Sequence, residues 1–154
     1  MSVSYRHILV PLDGSPLAEV ALAHALVLAR ACGAEVTLLN SVSPMDEVMV
    51  SEGEPVFLAD LWKARQQAAQ TYLESVAQRP EWREIKTQLV VENAPAADAI
   101  VEHARKHAVD VIVMATHGRS GFRRWVFGSV AEKVVRGADR PVLMVRAHGA
   151  ADSV

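Results

Sequence analysis

Five short apolar runs, separated by longer segments of helical periodicity, constrain the fold of this chain more than any other feature. The runs occupy residues 8–10, 36–39, 89–91, 111–114 and 142–145. Unbroken runs of β-branched residues and leucine are typical of strands buried on both faces, as in parallel sheets covered by helices. Because parallel strands need crossover helices, the alternation predicts an α/β domain with an open five-stranded parallel sheet and helices on both faces. The third run has a polar start, with Lys86 and Gln88, which favours a sheet edge.

Four helices are predicted between the runs, and turn and capping residues mark their ends. Ser15 is the expected N-cap of the first helix, Pro16 its first residue and Gly33 its end. The other helices are predicted at about residues 59–78, 95–107 and 129–140, with Gly137 as the C-cap of the last. Helical spacing puts several apolar residues on the inner faces of the second and fourth helices, namely Leu61, Trp62, Ala69, Leu73, Val76, Val130, Val134, Val135 and Ala138.

Length and charge limit the classes of function. The 154 residues suit one domain, predicted over residues 1–146, with a disordered tail at 147–154. A net charge of −2 argues against binding to nucleic acid or to an anionic membrane surface. No apolar run is long enough to span a bilayer, and no signal peptide is evident. The single cysteine, Cys32, is expected to pack inertly and fits a reducing compartment, so we predict a cytoplasmic protein.

Functional residues are expected just after the strands, because ligands of open α/β sheets bind beyond the carboxyl ends of the strands. The first strand leads into Asp13, Gly14 and Ser15. A carboxylate at this place can hold a metal or a sugar hydroxyl. It can equally be a turn residue that bonds the backbone of the next helix, since Asp-Gly-Ser is common turn chemistry.

The segment after the fourth strand combines glycines with positive charge. Gly118 and Gly121 follow the strand, arginines stand between them and beyond, and Gly128 and Ser129 open the next helix. Glycine lets backbone amides approach a phosphate, and a helix N-terminus adds unpaired N–H groups and a favourable dipole. The segment is neither a Walker loop nor a dinucleotide fingerprint. It predicts either an anion site or a structural loop with Ser129 as an ordinary helix cap.

Histidines offer two further candidate sites, and neither is favoured. His103 and His107 have the i, i+4 spacing of zinc ligands, but no acidic residue stands between them, so a solvated helix face is expected. A hydrolytic triad of Ser129, His117 and Asp13 lacks the nucleophile elbow that such a serine needs.

Three stretches together resemble the universal stress protein family, in its small single-domain form. They are the opening from His7 to Ser15, the middle from Pro95 to Ile100, and the segment from Asp110 to Arg146. Nucleotide-binding members of that family carry Gly-x2-Gly-x9-Gly-Ser/Thr after the fourth strand. Here the register is Ala115-x2-Gly118-x9-Gly128-Ser129, with Ala115 in place of the first glycine.

The resemblance implies a Rossmann-like fold of the adenine nucleotide alpha hydrolase type, with strand order 3-2-1-4-5. It also implies an ATP pocket at the strand ends, with Mg²⁺ carried by the nucleotide. Pro11 and Asp13 would flank the adenine and ribose, Asp13 would assist the metal, and Ser41 would offer its backbone to the adenine edge. The remaining residues implied by position are Met114 and Ala115 beside the ribose, and Gly118, Gly128, Ser129 and Val130 at the phosphates.

The leading hypothesis is therefore an ATP-binding regulatory protein of stress physiology with at most slow hydrolysis. Three alternatives remain: a nucleotide-free interaction module, a metal-dependent ATPase or nucleotidyl hydrolase using Asp13, and a site for AMP or a cyclic nucleotide. The family resemblance also implies a homodimer in which the edge strand from Val142 to Val145 pairs with its copy.

Overall fold

The computed structural model describes residues 2–43, 55–117 and 128–147, with the backbone alone at 55–58 and 117. Five parallel strands form one sheet in the order β3-β2-β1-β4-β5, which confirms the predicted sheet and places β3 at an edge. The strands are β1 (His7–Pro11), β2 (Glu35–Ser41), β3 (Thr87–Glu92), β4 (Val111–His117) and β5 (Val142–Ala147). β5 thus extends one residue into the segment predicted as a tail, and residues 148–154 lie outside the described residues.

The pairing of β1 with its two neighbours opens a crevice at the carboxyl end of the sheet. β1 pairs with β2 along its whole length, from His7 to Pro11. Its register with β4 covers only Ile8 and Leu9. The strand order reverses between these neighbours, so the carboxyl ends of β1 and β4 separate at the place where open α/β sheets bind ligands.

Four α-helices cover the sheet: α1 (Pro16–Cys32), α2 (Pro55–Ala77), α3 (Ala96–Lys106) and α4 (Ser129–Gly137). The predicted ends of α1 are confirmed. The Ser15 hydroxyl accepts a hydrogen bond from the Ala18 amide at 3.2 Å, and Gly33 ends the helix in the left-handed conformation, with φ of 64°. A 3-10 helix, Pro80–Trp82, follows α2 and buries Trp82. No helix in the described part of the chain combines the length and apolarity needed to cross a bilayer.

The core has one layer on each side of the sheet. Ile8 and Val10 of β1 pack with α1 and α2 on one side, whereas Leu9 packs with α3 and α4 on the other. β4 alternates in the same way, with Val113 on the first side and Ile112 on the second. Both central strands are therefore buried on both faces, as their unbroken apolar runs predicted.

Some predicted inner positions are exposed. Leu61 in α2 faces solvent, and so do Val130 and Val135 in α4 and Cys32 at the end of α1, where packing was expected. Length explains Leu61: a 23-residue helix is about 35 Å long, whereas a six-residue strand such as β3 spans about 20 Å. Among the side chains of α2 that the structure describes, the buried ones lie in its second half, so the first half extends past the sheet.

The caps of α4 also differ from the prediction by one residue. Gly128, which has no side chain, occupies the N-cap position, and Ser129 is the first helical residue. At the other end, Gly137 is the last helical residue and Ala138 is the C-cap. Ser129 is therefore not the helix cap that a purely structural loop predicted.

Candidate functional site

A cleft of about 210 Å³ lies at the carboxyl ends of β1, β2 and β4. The predicted site residues in its lining are Pro11, Asp13, Ser41, Met114, Ala115, Gly128, Ser129 and Val130. Gly118, the remaining predicted residue, lies outside the described residues. Residues from four separate segments of the chain, predicted individually, thus share one surface.

Helical residues that the sequence reasoning missed also line the cleft. They are Leu17 and Ala18 in the first turn of α1, Ala96 and Ile100 in α3, and Ala131 in α4. A signal was available, because a helix that follows a parallel strand begins at the carboxyl edge of the sheet, beside the crevice. These positions are apolar, so none of them carried a chemical signal of its own.

Asp13 is held by the turn that leads into α1. Its Oδ1 accepts a hydrogen bond from the Ser15 amide at 2.9 Å, and Gly14 between them has φ of 85°. The predicted turn role is confirmed, and the same geometry fixes the carboxylate at the rim of the cleft.

The opposite rim is the N-terminus of α4. Gly128 at the N-cap has no side chain, and within the described residues no capping oxygen bonds the amides of the first turn. Ser129 and Val130 are exposed there, and both line the cleft. A helix N-terminus of this kind favours an anion through its N–H groups and dipole.

Between the two rims the cleft has an apolar floor. Leu39, Ile100 and Met114 are buried residues that contribute to it. Among the described lining residues, Asp13 is the one with a titratable side chain. No group of three or more His, Cys, Asp or Glu residues within the described ranges could hold a metal ion. The side chain of His117, the base of the alternative triad, lies outside what the structure describes.

Comparison with known proteins identifies the family. The sequence model of the universal stress protein family matches residues 4–146. The chain belongs to this family. Universal stress protein MJ0531 of Methanocaldococcus jannaschii is 37% identical over 144 residues, which are 92% of this chain and 82% of that protein.

Solved structures confirm the Rossmann-like fold of this universal stress protein. MJ0577 of Methanocaldococcus jannaschii superposes with a TM-score of 0.79 at 29% identity, over 96% of this chain and 100% of that one. A universal stress protein in complex with cAMP superposes with a TM-score of 0.61 at 19% identity, over 95% of this chain and 100% of that one.

A clamp between α1 and α2 supports the α1 side of the cleft in this universal stress protein. The Glu19 carboxylate accepts two hydrogen bonds from the Arg79 guanidinium, each of 3.0 Å, and one from the Tyr72 hydroxyl at 2.9 Å. The Arg79 hydrogen bonds lower the pKa of Glu19. Burial, followed by the hydrogen bond to Glu19, raises the pKa of Tyr72. Glu19 adjoins Leu17 and Ala18 in sequence, so the clamp fixes the helical turn that lines the cleft.

The prediction of a solvated face for His103 is wrong. Only 6% of His103 is exposed, because this face of α3 packs towards β3. Its ring donates from Nδ1 to Glu92 Oε1 at 3.2 Å and stacks on the ring of His107, with 4.1 Å between centroids. The helical spacing of the two histidines thus produces a ring stack.

Proposed function

We propose that this universal stress protein binds an adenine nucleotide in the cleft and acts as a regulatory protein of stress physiology, with at most slow hydrolysis. One observation carries the proposal: an apolar floor lies between a carboxylate, Asp13, and a helix N-terminus at Gly128 that no described side chain caps. This arrangement suits a ligand with a flat apolar base at its centre, hydroxyls at one side and phosphates at the other.

Each part of the nucleotide has a matching group. Pro11 and the backbone of Ser41 would border the base, and Asp13 would accept from the ribose hydroxyls. Met114 and Ala115 would lie beside the sugar. The phosphates would meet the backbone amides of Gly128, Ser129 and Val130 at the start of α4.

The size of the cleft favours a ligand that is only partly enclosed by the described residues. Its 210 Å³ is below the range of roughly 300–1,000 Å³ that is typical of pockets for drug-sized ligands. A base and its sugar would fill the cleft, and the phosphates would extend along the α4 rim. A related universal stress protein was solved with cAMP, so a cyclic nucleotide is the principal competing ligand.

Two features argue for regulation ahead of rapid catalysis. The described lining provides no histidine or lysine to act as a base for water, and Asp13 already bonds the Ser15 amide. A nucleotide carrying Mg²⁺ would hold the metal at its phosphates, and Asp13, the one carboxylate in that lining, would be the protein group available to assist it. Bound nucleotide would stabilise the fold and change the surface around the cleft.

We also propose a homodimer through β5. β5 is an edge strand of the sheet, and Leu143 in it is 38% exposed, so pairing with a second copy would cover both its backbone and this side chain. Light scattering at micromolar concentration should give the mass of a dimer, and a monomeric mass would refute this.

The nucleotide content of freshly purified protein tests the main proposal. After denaturation, ion exchange of the supernatant should show ATP or ADP near one per chain, and titration of emptied protein with Mg-ATP should release heat. A clean blank together with no heat would overturn the proposal and favour the nucleotide-free interaction module.

Two glycine variants at opposite ends of α4 sharpen the test. Gly128 has φ of −59°, which any residue adopts, so Gly128→Val adds a side chain at the rim without backbone strain. It should abolish the retained nucleotide. Gly137→Ala is the matched control, since an added Cβ would lie 3.5 Å from Val101, an ordinary contact. Equal nucleotide content in both variants would contradict the placement of the phosphates.

A further inference from the structure

A cluster of histidines joins α3 to the sheet at a place that the nucleotide proposal does not use. His103 bonds Glu92 of β3 and stacks on His107, as described above. His7, at the start of β1, is buried too: its Nδ1 donates to the His107 carbonyl oxygen at 3.0 Å, and its Nε2 contacts the Thr37 hydroxyl at 2.7 Å. We call His103, His107 and Glu92 the histidine latch.

The burial of His103 favours its neutral form, although its hydrogen bond to Glu92 would persist in the cation. A carboxylate only accepts, so the ring proton sits on Nδ1 and points at Glu92. Burial is the main cause that lowers the pKa of His103; Glu92 opposes it, and His107 and His7 add to it. A second ring proton would make His103 a buried cation. That cation would stack on the His107 ring and lie near His7, and Glu92 would be its carboxylate partner.

We infer that the histidine latch holds α3 on the sheet while the His103 ring is neutral, and that protonation of this ring below neutral pH loosens α3. Uptake of the proton favours states in which the ring reaches water, because the cation is hydrated there. The device goes beyond nucleotide binding, since it needs no ligand.

The titratable groups around His103 belong to α3, β1 and β3. More of them repel a positive charge on its ring than attract it. Within the described residues, Glu92 on β3 attracts the charged ring, whereas His107 on α3 and His7 on β1 oppose it. The remaining charges of this part of α3, Glu102, Arg105 and Lys106, pair with one another on its exposed side.

The latch lies on the same helix as part of the cleft. Ala96 and Ile100 of α3 line the cleft, and His103 follows Ile100 by one turn. Loosening of α3 at low pH would therefore move one wall of the cleft. The fold would carry a sensor of acidification connected to its candidate binding site.

A proton titration tests the latch directly. NMR of the histidine Cε1–H signals, with His103 assigned from the spectrum of His103→Asn, should show His103 titrating below the ordinary value of about 6.5. The asparagine keeps a donor near the position of Nδ1 but cannot be charged. Titration of His103 at or above 6.5 would overturn the inference.

Stability measurements then separate the latch from ordinary acid effects. Between pH 7.5 and 5.5 the urea midpoint of the wild type should fall, and His103→Asn should reduce that fall. His24→Asn, which changes an exposed histidine of α1, should leave it unchanged. An equal fall in the wild type and in His103→Asn would refute the latch.

Amide exchange shows whether α3 loosens locally. After correction for intrinsic rates, protection of α3 amides should drop more than that of α1 amides when the pH falls from 7.5 to 5.5. Equal drops would refute a local loosening of α3.

A second variant covers the case in which His103→Asn fails to fold. In His107→Asn the stacked ring is removed, so the titration midpoint of His103 should rise. An unchanged midpoint would contradict the role of His107 in the latch. None of these results depends on a nucleotide, so failure of the latch and failure of the nucleotide proposal are distinguishable.

Discussion

The clamp of Glu19, Arg79 and Tyr72 permits a quantitative prediction, because one carboxylate receives all three hydrogen bonds. The perturbation is a double-mutant cycle of Glu19→Ala and Arg79→Met, in which methionine keeps most of the apolar stem of the arginine. The side chains are 26% and 35% exposed respectively, so solvent screens the pair and its energy must be reduced accordingly.

The expected coupling follows from this exposure. Exposed ion pairs contribute about 0.2–1 kcal/mol, and the two parallel hydrogen bonds place this pair at the upper end, near 1 kcal/mol. Glu19→Ala should cost more, about 2 kcal/mol, because the half-buried Tyr72 hydroxyl also loses its acceptor. Arg79→Met should cost about 1 kcal/mol, since it leaves the Tyr72 hydrogen bond in place.

The clamp should also weaken in acid. The pKa of Glu19 is lower in the folded protein than its ordinary 4.5. The ionised carboxylate therefore contributes fully to the free energy of unfolding above pH 4.5, and this contribution is lost as the pH falls through the folded pKa. Urea unfolding at pH 7 and pH 3 would measure both the coupling and its loss. The more exposed pair of Arg105 and Glu102 is the control and should couple more weakly. Coupling at pH 7 no larger than that of the control, or unchanged at pH 3, would refute the reasoning.

Three other predictions can be measured with purified variants. Asp110 Oδ2 accepts from the amides of Arg6 at 2.7 Å and His7 at 2.9 Å, so Asp110→Ala should lower the unfolding free energy by about 2 kcal/mol in urea, with a smaller loss for Asp110→Asn. Ala108 follows α3 with φ of 50°, so Ala108→Gly should raise the free energy of unfolding by about 0.5–1 kcal/mol and with it the melting temperature. Ala68→Gly, on the exposed face of α2, should lower the melting temperature. Ala115→Gly restores the motif glycine and should tighten Mg-ATP binding in calorimetry; weaker binding would show that the methyl group does not hinder the ligand.

Much of the fold could be predicted from local sequence. Apolar runs marked all five strands, and Ser15 and Gly33 marked the ends of α1 correctly. These features are local, because burial on both faces and capping each depend on a few neighbouring residues. The strand order came from the family resemblance instead, since no local pattern encodes which parallel strands pair.

The candidate site was predictable as far as it consists of strand ends. Asp13 was named because it follows an apolar run, whereas Ser41 and Met114 were implied by the family resemblance, and all three line one cleft. The clamp and the latch were missed. Glu19 meets Arg79 60 residues later in the chain, and His7 meets the His107 carbonyl oxygen across 100 residues. No periodicity connects such positions.

The sequence by itself determined the elements, their order along the chain and the residues at the carboxyl ends of the strands. Hydrophobic periodicity and turn chemistry report which residues of one segment share a face, and this is sufficient for those features. Only the tertiary structure decided what covers each face. It buried His103 against β3 and left Leu61 exposed where α2 extends past the sheet, although both residues lie on helical faces of ordinary pattern. The physical reason is that burial depends on the length and position of a neighbouring element, which the helix's own residues do not encode.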